Sequence, residues 1–280
     1  MRDTHFTPAM AAAYQRDGFY APVDAFSRTE VAQMRQRLEA FEATLPERPI
    51  GRNHRRKLHV LLPWMRDLVE DPRILDAVEQ LIGPDILVFT STFFIKEPNS
   101  DTITAWHQDG TYFGLEPHEH VTAWVAFSEA SELAGCMRFI AGSHKRGQLE
   151  HVTQTSSNNL NNLGQHIPEP FDEAQAATAP LQPGQFSLHH TLVVHSSEPN
   201  RSSDRRIGLG ISYIPTRLRH KGSQPMSVTL VRGEDRFGHF EHEADPRKSS
   251  PQEAIAAHAR AYQRYRESYE EQMRLSTTRG

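Results

Sequence analysis

Residues 86–96 read ILVFTSTFFIK, and this stretch sets the fold class. β-branched and aromatic side chains dominate it, as a strand requires. The first quarter of the chain reads as helical. Thr7-Pro8 supplies an N-cap and first helical residue, and Asp17-Gly18 a stop. Ser27 and Glu30 are spaced as a capping box, and Val31, Met34, Leu38, Phe41 and Leu45 behind them form one apolar helical stripe. Asp71-Pro72 opens a further helix carrying Ile74, Leu75, Val78, Leu81 and Ile82, which Gly83-Pro84 ends. Between these lies the basic run GRNHRRKLH (51–59), which has no clear period and reads as a loop. Beyond residue 96 the strand signals continue at Val121–Ser128, Met137–Ile140, Gln185–His195 and Ile207–Ile214. After Pro251 the spacing of Ile255, Ala259, Tyr262, Tyr269 and Met273 returns to helix. Helices, then short strands, then one helix predict a mainly β sandwich or barrel buttressed by flanking helices.

The chain has 280 residues and a formal net charge of -4, so it can bury a large core without a disulfide. Its length suits one barrel domain over 1–280, with a helical region (1–85), a strand core (86–215) and a C-terminal extension (216–280). The mild acidity offers no electrostatic footprint for nucleic acid, and no apolar run reaches the ~20 residues that a bilayer requires. The first residues carry no long apolar stretch after a basic start, so a signal peptide is not expected. Cys136 is the single cysteine and has no partner for an internal disulfide, which suits a reducing, cytoplasmic setting.

Sixteen histidines are the compositional oddity, and they point to a metal. Chance alone supplies about two His-x-Asp/Glu triplets in such a chain. The sequence has two, at His107-Gln108-Asp109 and His239-Phe240-Glu241, so context must choose between them. His107 and Asp109 lie at a strand end before the Gly110 turn, where residues i and i+2 point to the same side. Two His and one carboxylate on one face of an ion leave three open positions, the arrangement of non-haem Fe(II) oxygenases. The second His must return from a distant strand. In Gln185–His195, read as one strand, His195 shares the more polar face with Val193, Thr191, His189, Ser187 and Gln185. In the next strand Ile207, Leu209 and Ile211 take one face, while Arg206, Gly208, Gly210 and Ser212 take the other. The two glycines leave space beneath the guanidinium for a small anion that it could grip bidentately. Trp124 likewise sits among Thr122, Ala126 and Ser128.

The blocks WHQDGTYFGL, VTAWVAF, GCMRFIAGSHKRG, PGQFSLHHTLVVHSSEPNRSSDRR and GISYIPT, in this order and spacing, resemble the phytanoyl-CoA dioxygenase family of Fe(II)- and 2-oxoglutarate-dependent oxygenases. The similarity runs from Gly18-Phe19 to RFGHFE near residue 240. It implies a double-stranded β-helix, the jelly-roll or cupin-like barrel, with helices packed outside. It implies His107, Asp109 and His195 as metal ligands, and Arg206 as the partner of the distal carboxylate of 2-oxoglutarate. Ser197 would assist Arg206, and Trp124 would line the cosubstrate pocket. The cofactors implied are Fe(II), 2-oxoglutarate and O₂, and the product side is succinate, CO₂ and an oxidised small-molecule metabolite. Relatives that halogenate lack the carboxylate ligand; Asp109 is present, so hydroxylation is the expected reaction.

Other readings stand beside these. A non-catalytic metal-binding jelly-roll protein would share the same ligands, and desaturation or another oxidation could replace hydroxylation. His239, Glu241 and His242 read as a surface cluster in preference to a second metal site, and His118 and His120 as loop residues. Cys136 reads as packed. Arg52–Lys57 reads as a solvated basic face that could steer an anionic substrate, and the irregular segment 154–178 as a cover for the substrate mouth. The tyrosines of the C-terminal helix could pack on this barrel or on a second subunit, leaving the oligomeric state open.

Overall fold

The computed structural model describes residues 6–47, 50–153, 158–160, 165–168, 171–223 and 225–277. Strands β1 (Phe19–Asp24), β2 (Ile86–Lys96), β3 (Thr104–His107), β4 (Val121–Ala126), β5 (Met137–Phe139), β6 (Ala177–Ala179), β7 (Gln185–His190), β8 (His195–Ser197), β9 (Arg206–Pro215), β10 (Ser227–Arg232) and β11 (Glu241–His242) form two sheets. Among the described residues, one sheet has seven strands in the order β1-β7-β4-β9-β2-β10-β11, and the other has four in the order β3-β8-β5-β6. Neighbours pair antiparallel except β10 and β11. This is a mainly β jelly roll with flanking helices: the order of elements predicts the helix-buttressed β architecture, and the resemblance implies the jelly roll.

The helices α1 (Pro8–Asp17), α2 (Arg28–Ala43), α3 (Pro63–Val69) and α4 (Pro72–Ile82) precede β2, and α5 (Pro251–Thr277) closes the chain. Thr7 and Ser27 cap α1 and α2 as their sequences predict, and Asp71 caps α4. The outward face of the large sheet carries Ile207, Leu209, Ile211 and Tyr213 of β9 with Val121, Ala123 and Val125 of β4. These pack into one buried cluster with Ile74, Leu75 and Val78 of α4. Each fully buried Val, Leu or Ile side chain here contributes roughly 1.5–3 kcal/mol. The Tyr213 hydroxyl finds its partner in the Val69 carbonyl at 2.9 Å. The opposite face of the same strands, with Thr122, Trp124, Arg206, Gly210 and Ser212, lines a cavity whose far wall is the small sheet.

Four expectations need correction. Gln185–His195 is not one strand: β7 ends at His190, a turn closes with Val193 N–H donating to the His190 carbonyl at 3.0 Å, and β8 starts in the other sheet. Alternation therefore does not carry from His189 to His195. In α5 the buried face is Ala254, Ala257, Ala261, Tyr265 and Met273, and Ile255 is 60 % exposed. Small alanines, with His258 and Ser268, make up much of the face that packs on the barrel, and Ile255 lies off it. Arg52–Lys57 is a solvated face only in part: Arg52 and Asn53 are exposed, but the run turns inward at its end. Lys57 and His59 are fully buried, where Lys57 Nζ bonds the Ser227 carbonyl and Glu243, and His59 bridges Ser91 and Glu243. His120 is no exposed loop residue but is buried with its ring against Phe113. Cys136 is packed as expected. No helix among the described residues is long and apolar enough to cross a membrane.

Candidate metal centre

His107 ends β3, Asp109 follows two residues later at the head of the single helical turn Gly110–Phe113, and His195 opens β8. Antiparallel pairing sets His195 opposite His107, bringing their ring centroids to 4.1 Å. One ligand atom from each of His107, Asp109 and His195 lies within 4.8 Å of the others, and no second such group occurs among the described residues. Asp109 Oδ1 is 3.6 Å from His107 Nε2 and 3.8 Å from His195 Nε2. The Nδ1 atom of His107 donates to the Ala105 carbonyl at 2.8 Å, and that of His195 to the Val193 carbonyl at 3.0 Å. Each bond fixes the tautomer that leaves the Nε2 lone pair directed at the gap between the three residues. Burial holds the His195 imidazole well below its ordinary pKa, so it stays neutral and available as a donor. Burial works to raise the Asp109 carboxyl, yet the imidazoles of His107 and His189 hold it well below the carboxylate range. Two imidazoles and one carboxylate on one side fit an Fe(II) ion with open positions opposite.

Asp109 has supports that the sequence reading did not single out. His189 Nε2 and the Thr122 hydroxyl both sit 3.2 Å from Oδ2, which orients the carboxylate and leaves Oδ1 toward the two ligand histidines. Both strands, β7 and β4, run through the large sheet, so the floor of the cavity grips Asp109 while its wall carries the ligand histidines. The expectation for His239, Glu241 and His242 as a surface cluster agrees with the structure: they are tied separately to Arg219, Arg264 and Asp235.

Arg206 lies at the other side of the cavity, 2 % exposed, with its guanidinium 5.3 Å from the Trp124 ring centroid. Its NH1 group donates to the Gly135 carbonyl at 2.9 Å, its Nε has no partner, and no carboxylate pairs with it among the described residues. Burial pushes this guanidinium down to about 10. The space over Gly208 is taken by Trp124 itself: a Cβ there would sit 1.8 Å from the indole. The glycine thus admits the aromatic ring beneath the arginine. Lys96, opposite Arg206 in register, was missed by sequence reasoning. Its amine donates to Ser197 Oγ at 2.7 Å and to two neighbouring carbonyls, and burial beside Arg206 pushes it down to about 6. Ser197 and Trp124 both line the cavity. A buried guanidinium without a carboxylate, beside a serine hydroxyl held by Lys96, forms a receptor for an anion.

The cavity has an empty volume of about 830 Å³ including its mouth open to solvent. Arg56, Tyr265 and Tyr269 complete its wall, so α5 packs on its own barrel. Tyr112 stacks on Tyr269 with centroids 5.5 Å apart. Of the segment 154–178, Leu160 lines the cavity, while 154–157, 161–164 and 169–170 lie outside the described residues.

The model of the phytanoyl-CoA dioxygenase family matches residues 14–208, a span containing every residue of the triad and the anion receptor. The chain belongs to the phytanoyl-CoA dioxygenase family. Within known structures, the apo form of the non-heme monooxygenase ThoJ is 31 % identical, with a TM-score of 0.85 over 95 % of this chain and 99 % of ThoJ. CytC3 with Fe(II) and alpha-ketoglutarate is 25 % identical, with a TM-score of 0.63 over 84 % of this chain and 92 % of CytC3. The 1-deoxypentalenic acid 11-beta-hydroxylase of Streptomyces exfoliatus is 31 % identical over 49 % of this chain and 51 % of its own length. The chain spans about half the length of the curated relatives it matches. Family membership and the observed jelly roll agree with the resemblance carried by the sequence blocks.

Proposed function

We propose that the protein is an Fe(II)- and 2-oxoglutarate-dependent dioxygenase that hydroxylates an unactivated C–H bond of a small-molecule metabolite, with 1–280 acting as one cytoplasmic catalytic unit. The observation that carries this is the shared cavity: a two-His, one-carboxylate cluster and a carboxylate-free buried guanidinium face the same space. His107, Asp109 and His195 would hold the metal. Arg206, with Ser197 held by Lys96, would bind the distal carboxylate of 2-oxoglutarate, and Trp124 would wall that pocket. When bound, the iron couples O₂ and the decarboxylation of 2-oxoglutarate to oxidation of the substrate, giving succinate and CO₂.

The chain's own residues do the rest. The Nδ1 bonds of both histidines fix ligand geometry, and His189 and Thr122 hold Asp109 so that one oxygen remains for the ion. Tyr112, Tyr265 and Tyr269 form an aromatic wall against which the substrate would lie with less water around it. Asp109 supports hydroxylation over halogenation, since a halide would have to displace a carboxylate with two hydrogen bonds to its other oxygen. The Streptomyces relative is itself a hydroxylase.

Anaerobic addition of Fe(II) and 2-oxoglutarate is expected to give a weak visible charge-transfer band that disappears in Asp109→Ala and His195→Ala. In air, a matching metabolite should stimulate succinate release. Absence of the band in the wild-type protein, with no succinate from any metabolite, would leave a metal-binding jelly roll without catalysis.

A further inference from the structure

The basic run 51–59 divides its charges in the fold. Arg55 Nε donates to the Ile50 carbonyl, and Lys57 is sealed in its pair with Glu243. Arg56, between them, is the one residue of Arg52–Lys57 that lines the cavity. Its backbone is fixed on two sides: it bridges Thr92 of β2, and its carbonyl accepts from His258 Nε2 of α5 at 2.8 Å. Its guanidinium lies 5.7 Å from the Tyr265 ring centroid, its Nε is buried without a hydrogen-bond partner, and no carboxylate pairs with it among the described residues. A cation whose backbone is held in place, whose Nε lacks a partner and whose side chain lines a cavity is suited to bind an anion.

This site is separate from the one at Arg206. Thr92, which Arg56 bridges, pairs with Gly210, four residues along β9 from Arg206. That is roughly 14 Å of strand at about 3.4 Å per residue, farther than a five-carbon dicarboxylate reaches. Charge balance leads to the same place. With a divalent ion at the triad, the charges of the ion, Asp109, dianionic 2-oxoglutarate and Arg206 cancel. Arg56 is then the one cavity-lining charge left without a counterion among the described residues. The wall beside it is flat and apolar: Tyr265 under the guanidinium, then Tyr269 stacked on Tyr112.

We propose that Arg56 recognises an anionic group, a carboxylate or a phosphate monoester, on a substrate whose apolar body lies along Tyr265, Tyr269 and Tyr112 toward the metal centre. This rests on the oxygenase reading above and names the substrate class for it. Neutral and cationic metabolites are then poor substrates. Arg56 would set specificity at the mouth while Arg206 sets cosubstrate binding at the far side.

The test is a titration of the full chain, saturated with Ni(II) and 2-oxoglutarate, followed by tryptophan fluorescence because Trp124 lines the cavity. The probes are 4-phenylbutyrate, phenyl phosphate and neutral methyl 4-phenylbutyrate. Either anion is expected to bind at least about tenfold more tightly than the ester, and which anion leads identifies the headgroup. Arg56→Gln should abolish that preference while leaving ester and 2-oxoglutarate affinities unchanged, and Arg56→Lys should restore part of it. A role limited to holding α5 by a cation–π contact would alter melting temperature but not the anion-to-ester ratio. Equal binding of ester and anions by the wild type, no binding of either anion, or a preference that survives Arg56→Gln with unchanged melting would each overturn the proposal. If 2-oxoglutarate itself fails to bind, the oxygenase reading falls, and the same comparison in metal-free protein judges Arg56 on its own.

Discussion

Lys57 and Arg206 are both buried cations, 0 % and 2 % exposed, but they are buried under opposite conditions. Lys57 meets Glu243 inside the protein, and Glu243 is further satisfied by Ser227, Thr229 and His59. Arg206 meets a carbonyl and an indole, and no carboxylate among the described residues. A buried ion without a counterion is costly, so the fold keeps such a group only where something outside the chain completes it. The Lys57–Glu243 pair ties the 51–59 run to the segment after β11. The Arg206 and Lys96 corner holds a place for a ligand. The comparison separates charges that hold the structure together from charges that wait.

Breaking the completed pair should have the largest effect. Glu243→Ala leaves Lys57 buried and unpaired and is expected to cost about 3–5 kcal/mol of folding stability, read by chemical denaturation. Burial favours the neutral acid, but the ammonium of Lys57 and the imidazole of His59 hold the Glu243 carboxyl below the ordinary range. A carboxyl depressed in the folded state stabilises above its unfolded pKa of about 4.3 and loses that contribution as pH falls. The stability gap between wild type and Glu243→Gln should therefore be full at pH 7 and shrink below about pH 4. A gap that widens in acid would mean Glu243 is not the ionised partner of Lys57.

The waiting charge should respond the other way. Arg206→Met removes a buried cation that has no counterion, so the ligand-free protein should change by about 1 kcal/mol or less, or gain stability. Binding of 2-oxoglutarate should fall by at least about 30-fold, the lower end of what losing one partner of a desolvated charge pair costs. Calorimetric titration and thermal melts on the same samples check both halves. A variant that melts early but binds normally would place Arg206 with Lys57, among the charges that serve the fold.

Much of this contrast could be read in the sequence, and the misses have physical causes. Alternation placed Arg206, Trp124 and Thr122 on one face and the aliphatic residues on the other, because β9 and β4 each run straight with one face on the helices. It failed over 185–195 because nothing in TLVV, with no Gly or Pro, marks where the chain leaves one sheet for the other. His107 and Asp109 were legible because both come from one short stretch. Lys96, His189 and Arg56 were not assigned, since their roles depend on which strands become neighbours: Lys96 on pairing with β9, His189 on β7 passing beneath Asp109, Arg56 on the bridge to Thr92. In the 51–59 run, charge density suggested solvent, whereas its counterion Glu243 lies far along the chain.

The smallest effect tests whether burial, and not pairing alone, sets the size of the first. Arg264 and Glu241 form a two-point pair at the surface, with side chains 29 % and 58 % exposed. Its geometry matches that of a strong ion pair, so a view based on contacts alone would rank it with Lys57–Glu243. Water solvates both ions once the pair is broken, and holding two long side chains in register costs entropy. Arg264→Ala should therefore lower stability by about 0.2–1 kcal/mol, with the difference fading in high salt as screening sets in. A loss near that of Glu243→Ala, persisting in high salt, would show that carboxylate pairing matters more than burial. The argument that an unpaired Arg206 marks a ligand site would then lose its premise, because the cost of leaving a charge unpaired would no longer depend on its removal from water.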